Sequence, residues 1–118
     1  PKAAMSSPLS YYGSSSRGAI GQWKNQFAEM SWVEWLQFNA LAAAPKVNVP
    51  TLFIHSDNSA LPDSVRKFYN TMPGSKNLFW TQGQHTDFYD QEPYVTKAVQ
   101  VAAVHFKNIL LDVKSAQK

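Results

Sequence analysis

Apolar and polar positions alternate along the chain with periods that change several times. Residues 1–18 are polar, with Ser6, Ser7, Ser10, Ser14, Ser15 and Ser16 interspersed with Pro8, Gly13 and Gly18. Serine, proline and glycine at this density predict a flexible loop or frayed terminus. Ile20, Trp23, Phe27 and Met30 follow at spacings of 3, 4 and 3, the signature of one helical face. Ser31 and Glu34 form S-x-x-E, a capping box that predicts the start of a second helix. Trp32, Trp35, Leu36 and residues 39–44 carry that helix on, and Pro45 ends it. Residues 49–56 read as a strand, with Leu52, Phe53 and Ile54 apolar in succession. Such a run predicts cover on both faces, as in a parallel sheet.

Residues 57–62 read as a loop. Val65, Phe68, Tyr69 and Met72 then repeat at i, i+3, i+4 and i+7, predicting a short helix with Asp63 or Ser64 near its N-cap. Pro73-Gly74-Ser75 stops it, and residues 77–81 predict a second strand. Residues 82–90 are a polar loop, and Pro93 suits a first helical position. Val95, Ala98, Val99, Ala102, Phe106, Ile109 and Leu110 mark a long amphipathic C-terminal helix. The predicted order is α-α-β-α-β-α. Two strands joined by a helical crossover are expected to be parallel neighbours or near neighbours. Two parallel strands make no stable sheet alone and leave edges of unpaired backbone groups. The expected fold class is therefore α/β with an incomplete sheet. A larger sheet, or a second copy of the chain, would complete it.

Composition narrows this picture. The 118 residues suffice for one small domain. With 44% hydrophobic and 16% charged residues the chain is globular in character. Aromatic residues, at 14%, call for a core or a pocket. The absence of cysteine excludes disulfide scaffolds, thiolate metal sites and a cysteine nucleophile, without identifying a compartment. Eleven Lys and Arg against eight Asp and Glu give a net charge of +3, spread singly with no run or stripe. A nucleic-acid footprint needs clustering, so a solvated basic surface is expected. The longest unbroken apolar run, residues 40–44, is far short of the ~20 residues of a membrane span. The first residues show no apolar signal-peptide core, and the cytoplasm is the expected compartment. The chain starts without methionine, which points to a piece of a longer protein.

The chemistry-bearing residues collect in the two loops that follow the strands, where open α/β sheets gather their functional groups. The first loop runs from His55 through Asp57 and Ser59 to Asp63; the second runs from Gln82 through His85 and Asp87 to Asp90. An acid after one strand and a histidine after the next can meet above the sheet. That pairing is two-thirds of a nucleophilic triad. A metal site built from His85, Asp87 and Asp90 is the competing use of the second loop, although the cluster has no recognised ligand spacing. His55 reads as a satisfied structural histidine beside the sheet, and His105 as a packing or surface residue of the last helix.

The stretches VPTLFIHSDNSALPDSVRKFY and NLFWTQGQHTDFYDQEP, joined by the Pro-Gly turn, resemble the C-terminal part of the α/β-hydrolase superfamily. The flavour is that of dienelactone-hydrolase-like proteins, whose histidine loop can read H-T-D-F-Y-D. The resemblance covers about residues 47–110. It implies that His85 is the catalytic base and that Asp57, or alternatively Asp63, is the acid. The superfamily often reads H-G-x-x-D here, and the last position of that pattern is Ser59 in this chain. Residues 19–44 would form the preceding connection, often a cap over the pocket. The nucleophile, a serine in G-x-S-x-G at a strand-to-helix turn, has no counterpart. Gly13-Ser14-Ser15-Ser16-Arg17-Gly18 departs from it and follows no strand. The resemblance thus implies the C-terminal part of a serine hydrolase acting on esters or thioesters, without a cofactor or metal. The nucleophile and the rest of the sheet would come from a missing N-terminal half. The chain alone would be inert. A non-catalytic binding or scaffold module of the same fold is the alternative.

Overall fold

The computed structural model describes residues 9–115. The expectations for Ser6, Ser7 and Pro8 lie outside them. The chain divides into two compact units, Pro1–Ala40 and Leu41–Lys118.

The first unit holds two short helices, α1 (Ser10–Gly13) and α2 (Ser31–Gln37). The helix predicted from Ile20 to Met30 does not form; those residues make turns and an isolated bridge at Phe27. Their apolar groups find partners at distances along the chain that a single helix would not provide. Trp23 stacks on Tyr12 with centroids 5.2 Å apart, and Phe27 packs on Trp32 and Trp35 at 4.9 and 5.4 Å. Ile20 and Met30 remain exposed. The capping box is not made either. Met30, itself helical in backbone, stands at the N-cap without a side-chain bond. The amides of Ser31 and Trp32 donate to the carbonyls of Ala28 and Glu29 at 3.0 and 3.1 Å. The Ala28 carbonyl thus takes the amide that Glu34 would have served in the box, and the Val33 amide, within reach of a Ser31 cap, goes to the Met30 carbonyl at 3.4 Å. The helix stops at Gln37 because Phe38 turns extended, and Ala40–Lys46 tightens into a 3-10 helix with Pro45 inside it. Pro45 disfavours α geometry at Ala44.

In the second unit, β1 (Thr51–Ser56) and β2 (Lys76–Thr81) pair in parallel, Thr51 opposite Lys76 through Ser56 opposite Thr81. The strand begins at Thr51 rather than at Val49 because Pro50 has no N–H to give the ladder. The Thr51 amide opens it by donating to the Ser75 carbonyl at 2.9 Å. The crossover is α3 (Pro62–Thr71). Its N-cap is Leu61 in the left-handed region (φ 55°), with Pro62 following, so neither Asp63 nor Ser64 caps it. At its other end Lys76 Nζ donates to the carbonyls of Tyr69 and Met72, both at 2.6 Å. A cation there satisfies orphan carbonyls and opposes the helix dipole. Gly74 makes the turn between helix and strand: a Cβ there would stand 2.8 Å from the backbone carbon of Asn48.

The apolar run of β1 has a helix against each face and is half-buried between them. Phe53 packs on Phe68 and Tyr69 of α3, with ring centroids 5.9 and 5.6 Å apart. Leu52, on the opposite face, lines a cavity of about 370 Å³ with Val101, Val104, His105 and Ile109 of α5 (Tyr94–Ser115). Between β2 and α5 the polar loop forms one helical turn, α4 (Asp87–Asp90). Pro93 sits just before α5 rather than in its first turn. The fully covered apolar residues among those described are Ala44 and Met72, while Val99, Phe106, Leu110 and Leu111 of α5 face outward. Each strand has one neighbour among the described residues. No helix among them is long and apolar enough to cross a membrane.

Candidate functional site

The ends of β1 and β2 lie side by side, and a buried serine binds their loops together. Ser56 Oγ donates to the Gly83 carbonyl at 2.5 Å. Gly83 has φ +118°, and a Cβ there would approach Tyr94 to 2.9 Å. Both the backbone conformation and the close ring require glycine. Gly83→Ala is expected to cost about 1–3 kcal/mol of stability by strain, read as a fall in the denaturation midpoint; an unchanged midpoint would show that the turn relaxes freely. Beyond it, the Gln84 amide donates to Asp87 Oδ2 at 2.8 Å and the Asp87 amide returns to the Gln84 carbonyl at 3.0 Å. This reciprocal turn starts α4 and presents His85 at its crest.

Both ring nitrogens of His85 are engaged. Nδ1 lies 3.0 Å from Ser59 Oγ and Nε2 lies 2.9 Å from the Tyr89 hydroxyl. Tyr89 meets the imidazole edge-on, one helical turn along the chain. The loop after β1 therefore does reach the histidine after β2, but through Ser59 rather than through a carboxylate.

Asp57 and Asp63 are held elsewhere. Asp57 accepts from the Arg66 guanidinium through Oδ1 and from Trp80 Nε1 through Oδ2 at 3.1 Å. The Arg66 guanidinium carbon sits over the Trp80 ring, 4.0 Å from its centroid, and Arg66 pairs with Asp63 at 3.2 Å. Arginine suits this arrangement because its planar fork can stack and donate at once. The guanidinium, and then the Trp80 donor, hold the Asp57 carboxyl below the usual carboxylate range. A depressed folded-state pKa means that ionised Asp57 stabilises the fold above its unfolded pKa; that stabilisation is lost as pH falls through the folded value. In Arg66→Gln the Asp57 titration, followed by carboxyl NMR, is expected to move upward. A titration that does not move would show the pair to be absent in solution.

A polar cleft of about 480 Å³ opens between the two loops, lined by Ser56, Asp57, Asn58, Gln82, Gly83 and Gln84 among others. His85 stands outside that lining. Among the described residues no group of three or more His, Asp or Glu is arranged to hold a metal ion, so His85, Asp87 and Asp90 do not converge as ligands. The tempting serines of the first unit bond to one another, Ser14 Oγ to Ser16 Oγ at 2.7 Å, with no strand leading into them.

His85 and the two loops are legible in the sequence; the partners of their side chains are not. Tyr89 was discoverable as the i+4 neighbour of His85, and Arg66 as the i+3 neighbour of Asp63. Trp80 carried no signal beyond its place at the end of β2. Comparisons with family models, curated proteins and solved structures gave no match to this chain.

Proposed function

We propose that this chain is the C-terminal part of a serine hydrolase of the α/β-hydrolase class, acting on carboxylic esters or thioesters, with His85 as its base. The observation that carries the reading is the bond between Ser59 and His85. It joins loops at the C-terminal ends of two adjacent parallel strands, where such sheets assemble their chemistry. With Nδ1–H donated to Ser59, Nε2 is the basic nitrogen, and its lone pair accepts the Tyr89 O–H in this chain. In the complete protein the hydroxyl of a serine from the remaining polypeptide would replace Tyr89 at Nε2. His85 would deprotonate it as it attacks the acyl carbon, then return the proton to the leaving alcohol or thiol. Water would clear the acyl-enzyme by the same route. Asp57 is the carboxylate nearest the end of β1 in sequence and the acid of choice, with Asp63 as its alternative. Either must exchange Arg66 for the imidazole to act on it. The missing strands are supplied by the rest of the same protein, or by a second copy.

The pairing of both acids with Arg66 favours a second reading, a non-catalytic binding module of the same fold. Without a carboxylate at Nδ1 the imidazolium formed during attack lacks its usual counter-charge. A fluorophosphonate probe on the complete protein discriminates. Covalent labelling of one serine, lost on prior denaturation, is expected for the hydrolase. A folded protein that takes no label contradicts it and supports the module.

A further inference from the structure

His55, which sequence reasoning treats as a passive neighbour of the sheet, is bonded in an unusual way. It stands opposite Trp80 in the strand register, its ring 5.2 Å from the indole. Its Nδ1 lies 2.9 Å from the Ser56 carbonyl and its Nε2 lies 3.0 Å from the Ala60 carbonyl. Both partners are pure acceptors. A neutral imidazole carries one N–H and can serve only one of them, whereas the imidazolium carries two and serves both. The two carbonyls bracket residues 56–60, the segment that holds Asp57 and Ser59. Ser59 is in turn the residue bonded to His85 Nδ1. One ring thus spans the base of the loop that orients another.

We propose that His55 is a proton-operated positioning residue: its imidazolium straps residues 56–60 and sets Ser59 against His85, and its neutral form lets one of the two carbonyls go. The charged groups nearest it are Asp57 in its own loop and Arg66 on α3, which shares the Trp80 indole; Asp63 and His85 stand one partner further out, on Arg66 and Ser59. Asp57 is close enough for the two charges to feel each other. Arg66 sits over the same indole that His55 adjoins and pairs with Asp57, so it opposes the positive ring while leaving the carbonyl geometry untouched. The strap needs no catalysis to exist, and it bears on turnover only if the preceding proposal holds.

NMR of the complete protein with labelled histidines and backbone amides tests it across the pH range where the fold persists. The expected result is that the second His55 ring nitrogen gains its proton, giving the imidazolium with two N–H groups, together with a shift of the amides of Asn58, Ser59 and Ala60, all with one shared midpoint. In His55→Gln that midpoint should vanish from the loop amides while the His85 titration persists. If the protein is an esterase, its kcat–pH profile should lose the limb with the same midpoint. Loop amides that stay silent while the His55 ring titrates would overturn the strap. The wild-type titration decides this even if the variant fails to fold. An inactive wild-type protein with the shared midpoint intact would sink the hydrolase reading and leave the strap standing.

Discussion

Replacing His85 by alanine in the complete protein is expected to lower kcat/KM for a short p-nitrophenyl ester by roughly 10²–10⁴-fold, the range supplied by a positioned general base. The loss should fall on kcat, because the proton transfer is made only in the transition state. The side chain is exposed and bonded to a serine and a tyrosine, so its removal leaves no cavity. The denaturation midpoint should therefore stay within the small range typical of surface changes. Tyr89→Phe is the control. It removes the hydroxyl from Nε2 but keeps the ring, and in the proposed enzyme that nitrogen belongs to the nucleophile. Turnover should change little. His85→Ala with undiminished turnover would remove the histidine from the mechanism.

Met72→Ala is expected to cost about 2–5 kcal/mol of folding stability, the range for deleting a buried large aliphatic side chain. Met72 is 1% exposed and is one of only two fully covered apolar residues among those described. It follows α3, where its carbonyl also accepts from Lys76. Against a typical domain stability of about 5–15 kcal/mol, that is a large fraction of what holds the fold. Urea unfolding measures the change directly; a shift below about 1 kcal/mol would mean that the site collapses around the alanine. Leu110→Ala on α5, exposed in this chain, is the contrast. A large cost there in the complete protein would show that further polypeptide covers that face.

The second unit was legible in the sequence, and the reason is physical. Strand β1 announces itself by Leu52, Phe53 and Ile54, a run that only two-sided cover accommodates. Helix α3 does so by Val65, Phe68, Tyr69 and Met72, and the structure places Phe68 and Tyr69 against Phe53. The first unit was legible only at α2, which starts at Ser31 as expected. Ile20, Trp23, Phe27 and Met30 have helical spacing, but spacing is informative only when a second surface waits for the stripe. Here Trp23 meets Tyr12 and Phe27 meets Trp32 instead. The Ser31 cap is not made; the Ser31 and Val33 amides go to the carbonyls of Ala28 and Met30 instead. At the site, His85 was placed by its loop and by the resemblance of that loop to a known pattern. Its bonds to Ser59 and Tyr89, and the capture of Asp57 by Arg66, depend on how two loops fold over the strand ends. No spacing along the chain encodes that.

The most direct measurement is a crystal structure of the complete protein after reaction with a fluorophosphonate. The expected result is a phosphonylated serine from outside these residues, on a strand-to-helix turn, with its Oγ within about 3 Å of His85 Nε2. The sheet in that crystal would continue past one edge of the β1–β2 pair. An unmodified protein, or an adduct on a serine remote from His85, would contradict it.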